Sequence, residues 1–339
     1  MLSHTERMKA CLADDSALDR PPAALWRHFP VDDQAPETLA AAVVAFQRSY
    51  EFDLVKVTPA SSFCLKDWGV EDVWEGHSEG TRRYTRSVVR SPRDWERLRP
   101  LDPRRARHLS AQLECLRLIR GGLGPDVPVL QTIFSPLAQA KHLADGDTLI
   151  AHLRLYPEAV MKGLATVAET TRRFVEAAIQ AGIDGVFYAV QHAQAGVLSR
   201  EEYKAFGLPV DLQTLQPAAG LWCNLLHLHG LDVYFDLVPA YSTLFSSPLI
   251  VNWHDRETPP SLREAQTPGV APVVCGGVSQ RTIVFADSSQ VRKEAKDAIR
   301  QTRGRRFILG TGCVVPIIAP HGNIQAVADA VRGPSKGKG

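Results

Sequence analysis

Several features that would assign this chain to a class at once are missing from its sequence. The six cysteines are spread over 339 residues without a CxxC pair, which indicates reduced thiols and not a disulfide framework. No apolar run approaches the roughly 18 residues of a membrane-spanning helix. The N-terminus is charged, is typical of a helix and lacks the apolar segment of a signal peptide. We therefore expect a soluble cytoplasmic protein with no membrane partner.

An excess of charge is also missing. The 39 basic and 37 acidic residues leave a net charge of +2, so nothing favours nucleic acid as a partner. The phosphate-binding patterns GxGxxG and GxxxxGK[ST] are absent, and the Ser61-Ser62 pair lacks the context of a nucleophile elbow. Hydrophobic residues make up 45% of the chain, which is ample for a core.

What the sequence does contain is an alternation of short apolar runs with longer segments of helical period, as in βα units around a parallel sheet. About eight such repeats can be distinguished. We predict a single (β/α)₈ TIM barrel over residues 1–332, an irregular functional loop or insertion at 61–103, and a disordered Gly/Lys-rich tail at 333–339. The predicted strands cover 24–29, 53–58, 128–134, 185–190, 221–228, 249–253, 272–275 and a last one from 306.

The sharpest chemical signal is the sequence His227-Leu228-His229-Gly230, where an apolar strand ends. Residues i and i+2 of a strand point to one face, so the two imidazoles can converge, and Gly230 lets the backbone turn away. Cys313 stands in a second strand-end turn, LGTGCVVP. Two imidazoles and a thiolate are a ligand set for a catalytic zinc with an open fourth position. The alternative is a loop-capping histidine, a packed histidine and a buried apolar cysteine.

Other strand ends carry polar residues that could act on a substrate at a barrel mouth. As catalytic candidates we select Arg27, Tyr188, Gln191 and His254, and as substrate-binding candidates Arg27, His28, Lys56 and Asn252. Basic groups there would hold carboxylates or phosphates. His254 and Asp255 could also orient a ligand histidine. Each of these residues could equally support a neighbouring side chain or cap a loop.

Longer motifs resemble one family. The segment LGTGCVVPIIAPHGNIQAVADAVR is similar to the C-terminal signature of the uroporphyrinogen decarboxylase superfamily, and AVQHAQAGVLSREEYKAFGLP resembles its middle segment. At the front, RPPAALWRHFP and DLVKVTPASSFCLKDWG resemble the first two strands of divergent members. The resemblance covers nearly the whole chain and implies a (β/α)₈ barrel, in agreement with the alternation of apolar runs and helical segments.

The superfamily implies two chemistries. Its metal-free decarboxylases bind the substrate's carboxylates with two arginines and contact the pyrrole nitrogens with an aspartate. Here Arg27 matches only the first arginine, and Ala60 is nearest to the place of the aspartate. The region of His142 stands in place of that branch's tyrosine, and Thr311 stands in place of its C-terminal histidine. A decarboxylase of uroporphyrinogen or of another small carboxylate, as in porphyrin biosynthesis, remains the alternative reading.

The second branch, the zinc-dependent methyltransferases, moves a methyl group between a corrinoid protein and a thiol. Its ligands are an HxC motif and a cysteine in the last GC turn, so the resemblance implies His227, His229 and Cys313. The HLH sequence replaces one thiolate by an imidazole, which leaves a more positive metal centre and a stronger Lewis acid. A different substrate, or metal-assisted lyase or demethylase chemistry, therefore also stays open.

We expect a zinc-assisted methyltransferase acting on a small anionic molecule, with any corrinoid carried on a separate protein because no corrinoid-binding domain is evident. A homodimer is one allowed assembly state. A third class, a barrel that binds a tetrapyrrole or corrinoid without turnover or serves as an assembly subunit, is kept beside the two enzymes.

Overall fold

The structure is a computed structural model that describes residues 1–332, so the predicted tail at 333–339 lies outside the described residues. The described strands are β1 (Val55–Val57), β2 (Glu71–Val73), β3 (Arg83–Arg86), β4 (Val129–Phe134), β5 (Gly185–Val190), β6 (Leu225–Leu228), β7 (Ile250–Trp253), β8 (Val273–Val278) and β9 (Phe307–Thr311). The described helices are α1 (His4–Ala13), α2 (Pro36–Tyr50), α3 (Pro92–Arg97), α4 (Arg107–Leu123), α5 (Pro136–Ala144), α6 (Gly146–Leu155), α7 (Pro157–Gln180), α8 (Arg200–Phe206), α9 (Leu208–Leu215), α10 (Val238–Ser242), α11 (Leu262–Ala265), α12 (Gln280–Phe285), α13 (Ser288–Thr302) and α14 (His321–Arg332).

Seven strands form one curled parallel sheet in the order β1-β4-β5-β6-β7-β8-β9. Helices connect the consecutive strands, as parallel pairing requires. This confirms the predicted α/β architecture. It also explains why the strands are nearly continuous apolar runs, because helices cover one face and the curled interior lies on the other.

The predicted strand at 24–29 is not formed as a strand. In its place Ala23 makes a single parallel bridge with Leu309 of β9. The amide of Ala24 donates to the carbonyl of Leu309 at 2.8 Å, and the amide of Asp53, just before β1, donates to the carbonyl of Ala23 at 2.8 Å. The pairing is short because Pro21 and Pro22 have no N–H to donate to a ladder. Residues 22–24 nevertheless join the two edges of the sheet.

Alternation along the strands separates two apolar cores. Alternate side chains on each strand point to opposite faces of the sheet. Those on one face, such as Leu226 and Leu228, pack between the sheet and the helices. Those on the other face, such as Leu225, fill the inside of the curled sheet. The N-terminal helix α1, a helix as predicted, contributes Met8 to this inner core. The interior is therefore packed at the amino end of the strands, which leaves the carboxyl end for chemistry.

The carboxylate of Asp53 links helix α1 to the segment around Arg20 and Ala23. Its carboxylate accepts from Arg7 at 2.8 Å, from Arg20 at 2.7 Å, from His4 at 3.0 Å and from the amide of Ala23 at 2.9 Å. Burial raises the pKa of Asp53, but the bonds from His4 and Arg20 outweigh it and hold the pKa well below its usual range. A buried charge with this many donors is tolerated because each oxygen is satisfied.

The irregular stretch at 61–103 forms a cover over the carboxyl end of the sheet. It contains the antiparallel β2–β3 hairpin and helix α3. The hairpin contacts the mouth in two places: Ser78 accepts from the amide of Ile317 at 2.7 Å, and the Tyr84 ring stacks on His142. No helix within residues 1–332 combines the length and apolar character that crossing a membrane requires.

Candidate functional site

Three strand ends bring four ligand-type side chains together. His227 lies on β6 and His229 follows it, His254 follows β7, and Cys313 follows β9. His227 and His229 share the inward face because they are two residues apart, while Leu228 between them packs outward. One nitrogen of each histidine and the sulfur of Cys313 all lie within 4.8 Å of one another. The sequence-predicted trio therefore meets at one point, and His254 joins it.

The trio is closely spaced. His227 Nε2 lies 3.4 Å from His229 Nδ1 and 3.5 Å from Cys313 Sγ, and Cys313 Sγ lies 3.7 Å from His229 Nδ1. His227 and Cys313 are almost fully buried, with 3% and 8% of their surfaces exposed. His229 and His254 are partly open. The cluster is thus protected on one side and accessible on the other.

Two glycines permit this approach. Gly230 has φ +105°, and a Cβ there would lie 2.4 Å from the side-chain amide of Gln194, which donates to the carbonyl of His229. A Cβ on Gly312 would lie 2.8 Å from the Cα of His254. Larger residues would push the turn after β6 or the turn after β9 outward. The glycines next to His229 and Cys313 are therefore part of the site's construction.

Asn252 of β7 orients the deepest ligand-type residue. Its Nδ2 donates to the carbonyls of Cys275 at 2.9 Å and Thr311 at 3.0 Å. Its Oδ1 must therefore accept, and it lies 2.7 Å from His227 Nδ1. This arrangement places the proton of His227 on Nδ1 and leaves the lone pair of Nε2 facing the cluster. Asn252, predicted to bind substrate, is instead placed behind His227.

The electrostatics favour neutral imidazoles. Burial, followed by the neighbouring charges of His229 and His254, holds the pKa of His227 well below its ordinary value. Burial likewise lowers the pKa of His229 to about 4. Burial raises the pKa of the Cys313 thiol to about 12 although Lys56 opposes that shift. Near neutral pH the histidines present lone pairs, whereas Cys313 retains its proton until a cation replaces it.

His254 differs from the other two histidines. Its Nε2 is buried without a hydrogen-bond partner in residues 1–332, and its Nδ1 lies 3.7 Å from a carboxylate oxygen of Glu257. Burial lowers the pKa of His254, and the charge of Glu257 opposes the shift. The ring can therefore accept a proton at Nε2, with Glu257 compensating the charge.

The donor set fits a zinc ion. Neutral imidazole and thiolate are the ligands zinc takes in catalytic sites. With bonds of about 2.0 to 2.3 Å, the ligand atoms of a tetrahedral site are roughly 3.3 to 3.8 Å apart. The three distances of 3.4, 3.5 and 3.7 Å among His227, His229 and Cys313 fall in this range. The hydrogen bond to Asn252 supplies the outer support such ligands need.

Two predicted catalytic residues lie elsewhere. Tyr188 sits between Phe187 and Ala189, which face the inner core, so its own side chain points to the helices. There its hydroxyl donates to Asp211 at 2.7 Å. Arg27 lies between the inward-facing Trp26 and His28 and packs over the ring of Phe29, 5.3 Å from its centroid. The strand period of two turns Tyr188 away from the cluster, and the packing of Arg27 on Phe29 keeps its side chain away as well.

The remaining predicted residues line the mouth. Lys56 and His28 are buried, and the Nζ of Lys56 lies 4.6 Å from the ring centroid of Phe187, which in turn stacks on His227. Burial lowers the pKa of Lys56 to about 7 and that of His28 to about 3. Gln191 lines an open cavity of about 570 Å³ that also contacts His229. Of these predicted residues Gln191 lines the open cavity, whereas Lys56 and His28 are buried below the surface.

Residues that sequence reasoning did not select complete this cavity. Lys141, His142 and His192 line it beside Gln191. His192 directly follows Gln191 at the end of β5, so its strand-end position could have identified it. Lys141 and His142 belong to α5, a helix not distinguished in the sequence pattern. Their spacing does not link them to the strand ends, and the signal for His142 was the family resemblance, which puts its region in place of the decarboxylases' tyrosine.

Comparison with known proteins places this geometry in context. The family model for Uroporphyrinogen decarboxylase (URO-D) matches residues 27–334. Among solved structures, a methyltransferase from Methanosarcina mazei superposes with a TM-score of 0.83 at 18% identity, covering 97% of this chain and 98% of that one. No curated protein gives a significant sequence match.

Two further solved structures are more distant. A B12-independent methionine synthase from Shewanella sp. W3-18-1, in complex with selenomethionine, has a TM-score of 0.57 at 14% identity and covers 91% of this chain and 92% of that one. A putative vitamin-B12 independent methionine synthase from Listeria monocytogenes has a TM-score of 0.52 at 12% identity and covers 91% and 94%. At these identities the likeness concerns the fold. The match over 27–334 is the stronger finding: the chain belongs to the uroporphyrinogen decarboxylase family.

Proposed function

We propose that this protein is a zinc-dependent methyltransferase whose acceptor is a thiol. The observation that carries the proposal is the convergence of His227, His229 and Cys313, with 3.4 to 3.7 Å between their ligand atoms. Zinc at these residues would supply Lewis-acid activation of the acceptor. We include the closed (β/α)₈ barrel in the proposal, supported by the bonds that residues 22–24 make to both sheet edges.

Each residue of the cluster has a distinct task. His227, held by Asn252, and His229 present neutral nitrogens, and these two residues with deprotonated Cys313 would hold the zinc ion. We place His254 beside the cluster, where its Nε2 would take the proton of the acceptor thiol and Glu257 would stabilise the charged ring. The acceptor sulfur then forms its bond to the methyl carbon, while the donor keeps the electron pair of the bond that breaks.

We propose a corrinoid-borne methyl group on a separate protein as the methyl donor. Residues 1–332 fold as one curled sheet with its helices and a two-stranded hairpin, which is consistent with a donor carried elsewhere. The methyltransferase and methionine synthase structures with similar folds agree with methyl transfer as the reaction class. The decarboxylase alternative is less favoured, since its anchor Arg27 packs on Phe29.

The experiment is a metal analysis of protein purified without chelator. The wild-type chain should carry about one zinc, because its ligands are preorganised, and His227→Ala and Cys313→Ala should lose most of it. Cys64→Ala is the matched control, since Cys64 is also buried but belongs to the outer core. Less than about a tenth of an equivalent, unchanged by His227→Ala, would rule the proposal out.

The proposed transfer of the acceptor's proton to His254 can be tested separately from zinc binding. His254→Ala should retain zinc, because the three closely spaced ligands remain, but should slow turnover with thiols and raise the pH at which activity appears. If His254→Ala instead loses zinc to the same extent as Cys313→Ala, His254 is a fourth ligand and the proton-transfer assignment is wrong.

A further inference from the structure

The side chain of His254 makes no hydrogen bond within residues 1–332. Its Nε2 is buried without a partner, its Nδ1 lies 3.7 Å from Glu257, beyond hydrogen-bond length, and 11% of the side chain is exposed. His227, in contrast, is fixed through its ring by Asn252. The ring of His254 nevertheless lies with its centroid 5.2 Å from that of His229. Its position therefore depends on packing and on the backbone that carries it.

That backbone forms a tight turn after β7. The carbonyl oxygen of His254 accepts from the amide of Glu257 at 2.8 Å and from the amide of Thr258 at 2.9 Å. The hydroxyl of Thr258 in turn accepts from the amide of Asp232, in the turn after β6, at 3.0 Å. Residues 254–258 are thus a compact unit, and a movement of this unit would carry the His254 ring with it.

A buried carboxylate links this turn to the neighbouring strand. The Asp255 side chain is 2% exposed, and its Oδ1 accepts from the amide of Gly277 in β8 at 3.0 Å. A Cβ on Gly276 would lie 2.4 Å from the same oxygen, so a larger residue there would push the carboxylate away from β8. Because a buried amide needs a partner, Asp255 supplies a bond that the strand itself does not make.

Arg256 holds the same glycine from its other polar atom. Its Nε donates to the carbonyl of Gly277 at 2.8 Å, its Nη1 to Asp297 at 2.9 Å and its Nη2 to the carbonyl of Glu294 at 3.0 Å. Asp297 and Glu294 belong to α13, which packs on β8. The planar guanidinium therefore fixes the turn both to the strand and to the helix behind it.

We propose that Asp255 and Arg256 are positioning residues, which hold His254 at the cluster by clamping the turn after β7 to Gly277. The inference rests on the proposed function for the task of His254, the acceptance of the thiol's proton, but the clamp itself can be tested without turnover. Asn252 orients His227 through its ring, whereas this pair acts on its histidine through the main chain.

The test follows the labelling of His254 by diethyl pyrocarbonate, which acylates unprotonated imidazole nitrogens. The rate is read by peptide mass spectrometry on the full chain, as purified and after chelation. Asp255→Ala removes the acceptor of the Gly277 amide, so the turn should open more often and His254 should react roughly tenfold faster. Asp255→Asn keeps an acceptor oxygen and should stay within about twofold of the wild-type rate. Arg256→Met, a second variant at a partly exposed side chain, should also accelerate the labelling.

Asp184 provides the matched control at the opposite end of the sheet. It lies just before β5, and its carboxylate accepts from the amide of Val129 at 2.9 Å and pairs with Arg120. Asp184→Ala should therefore lower stability in urea unfolding, as Asp255→Ala does, but leave the labelling rate of His254 unchanged.

Three results would overturn the inference. They are a His254 rate that Asp255→Ala and Arg256→Met leave unchanged, equal acceleration by Asp184→Ala, and an Asp255→Asn variant that reacts as fast as Asp255→Ala. Each would mean that the bonds to Gly277 do not set the position of His254.

Zinc content and turnover separate this inference from the proposed function. Asp255→Ala should keep the wild-type amount of zinc, because the three proposed ligands are untouched, but should slow turnover with thiols. Faster labelling in a protein that binds no zinc would support the clamp and refute the zinc proposal alone. Faster labelling with unchanged thiol turnover would support the clamp and refute the proton transfer to His254 alone.

Discussion

The role of Asn252 can be tested with a well-matched pair of variants. Asn252 makes three buried hydrogen bonds, one to His227 and two to the carbonyls of Cys275 and Thr311. Asn252→Ala removes all three while leaving every proposed metal ligand in the chain. Without its acceptor, the His227 ring is free to rotate or to move its proton to Nε2, the nitrogen that faces the cluster.

The expected losses of zinc affinity and of folding stability follow from the groups that these three hydrogen bonds hold in place. Losing an outer partner of a metal-bound histidine typically weakens metal affinity by about 10- to 100-fold, or roughly 1.4 to 2.7 kcal/mol. Folding stability should fall as well, because two buried carbonyls lose a donor, at about 1 to 3 kcal/mol in total. The two effects are measured separately, by zinc competition against a chromophoric chelator and by urea unfolding of the zinc-free chain.

Asn224 provides the control. It lies just before β6, is equally buried, and also makes three side-chain hydrogen bonds, to the amide of Val186 and to the carbonyls of Ala218 and Leu221. Asn224→Ala should therefore lower the free energy of unfolding about as much as Asn252→Ala but leave zinc affinity unchanged. Equal zinc affinity in the wild type and Asn252→Ala, or equal weakening by the two variants, would refute the positioning argument.

Three further predictions concern stability. Asp53→Ala removes the carboxylate partner of Arg20 and one of the two carboxylate partners of Arg7, and should cost about 3 kcal/mol in urea unfolding. Because the pKa of Asp53 is lowered on folding, its contribution is present above the ordinary carboxyl pKa and is lost as pH falls, so Asp53→Asn should flatten the loss of stability below about pH 4. Asp211 behaves oppositely: burial raises its pKa to about 6, so wild-type stability should decline as pH rises from about 4 to 6, and Asp211→Asn should remove that slope. Gly185→Ala should destabilise the β5–β6 pairing severely, since a Cβ there would lie 1.6 Å from the carbonyl oxygen of Cys223, whereas Gly220→Ala, with nothing within 4 Å, should be tolerated in thermal unfolding.

Assigning residues to faces was the least accurate part of the sequence analysis, although the information was present. Tyr188 and Gln191 both stood at the end of an apolar strand and were given similar roles. Tyr188 lies within β5 between the inward-facing Phe187 and Ala189, so it points to Asp211, whereas Gln191 follows the strand and lines the cavity. Applying the strand period within β5 would have removed Tyr188 from the candidates.

Local sequence patterns determined the α/β alternation, most strands and the convergence of His227 with His229, because a strand's period of two is a local property. They also placed Cys313 at a strand end. Which strand ends meet is a nonlocal property. Only the curling of the sheet brought Cys313 within 3.5 Å of His227, across 86 positions of sequence. The tertiary structure alone likewise placed Asn252 behind His227, His254 beside the cluster, and Lys141 of a helix opposite the loop that carries His192. Such contacts depend on how elements pack, and no spacing along the chain encodes them.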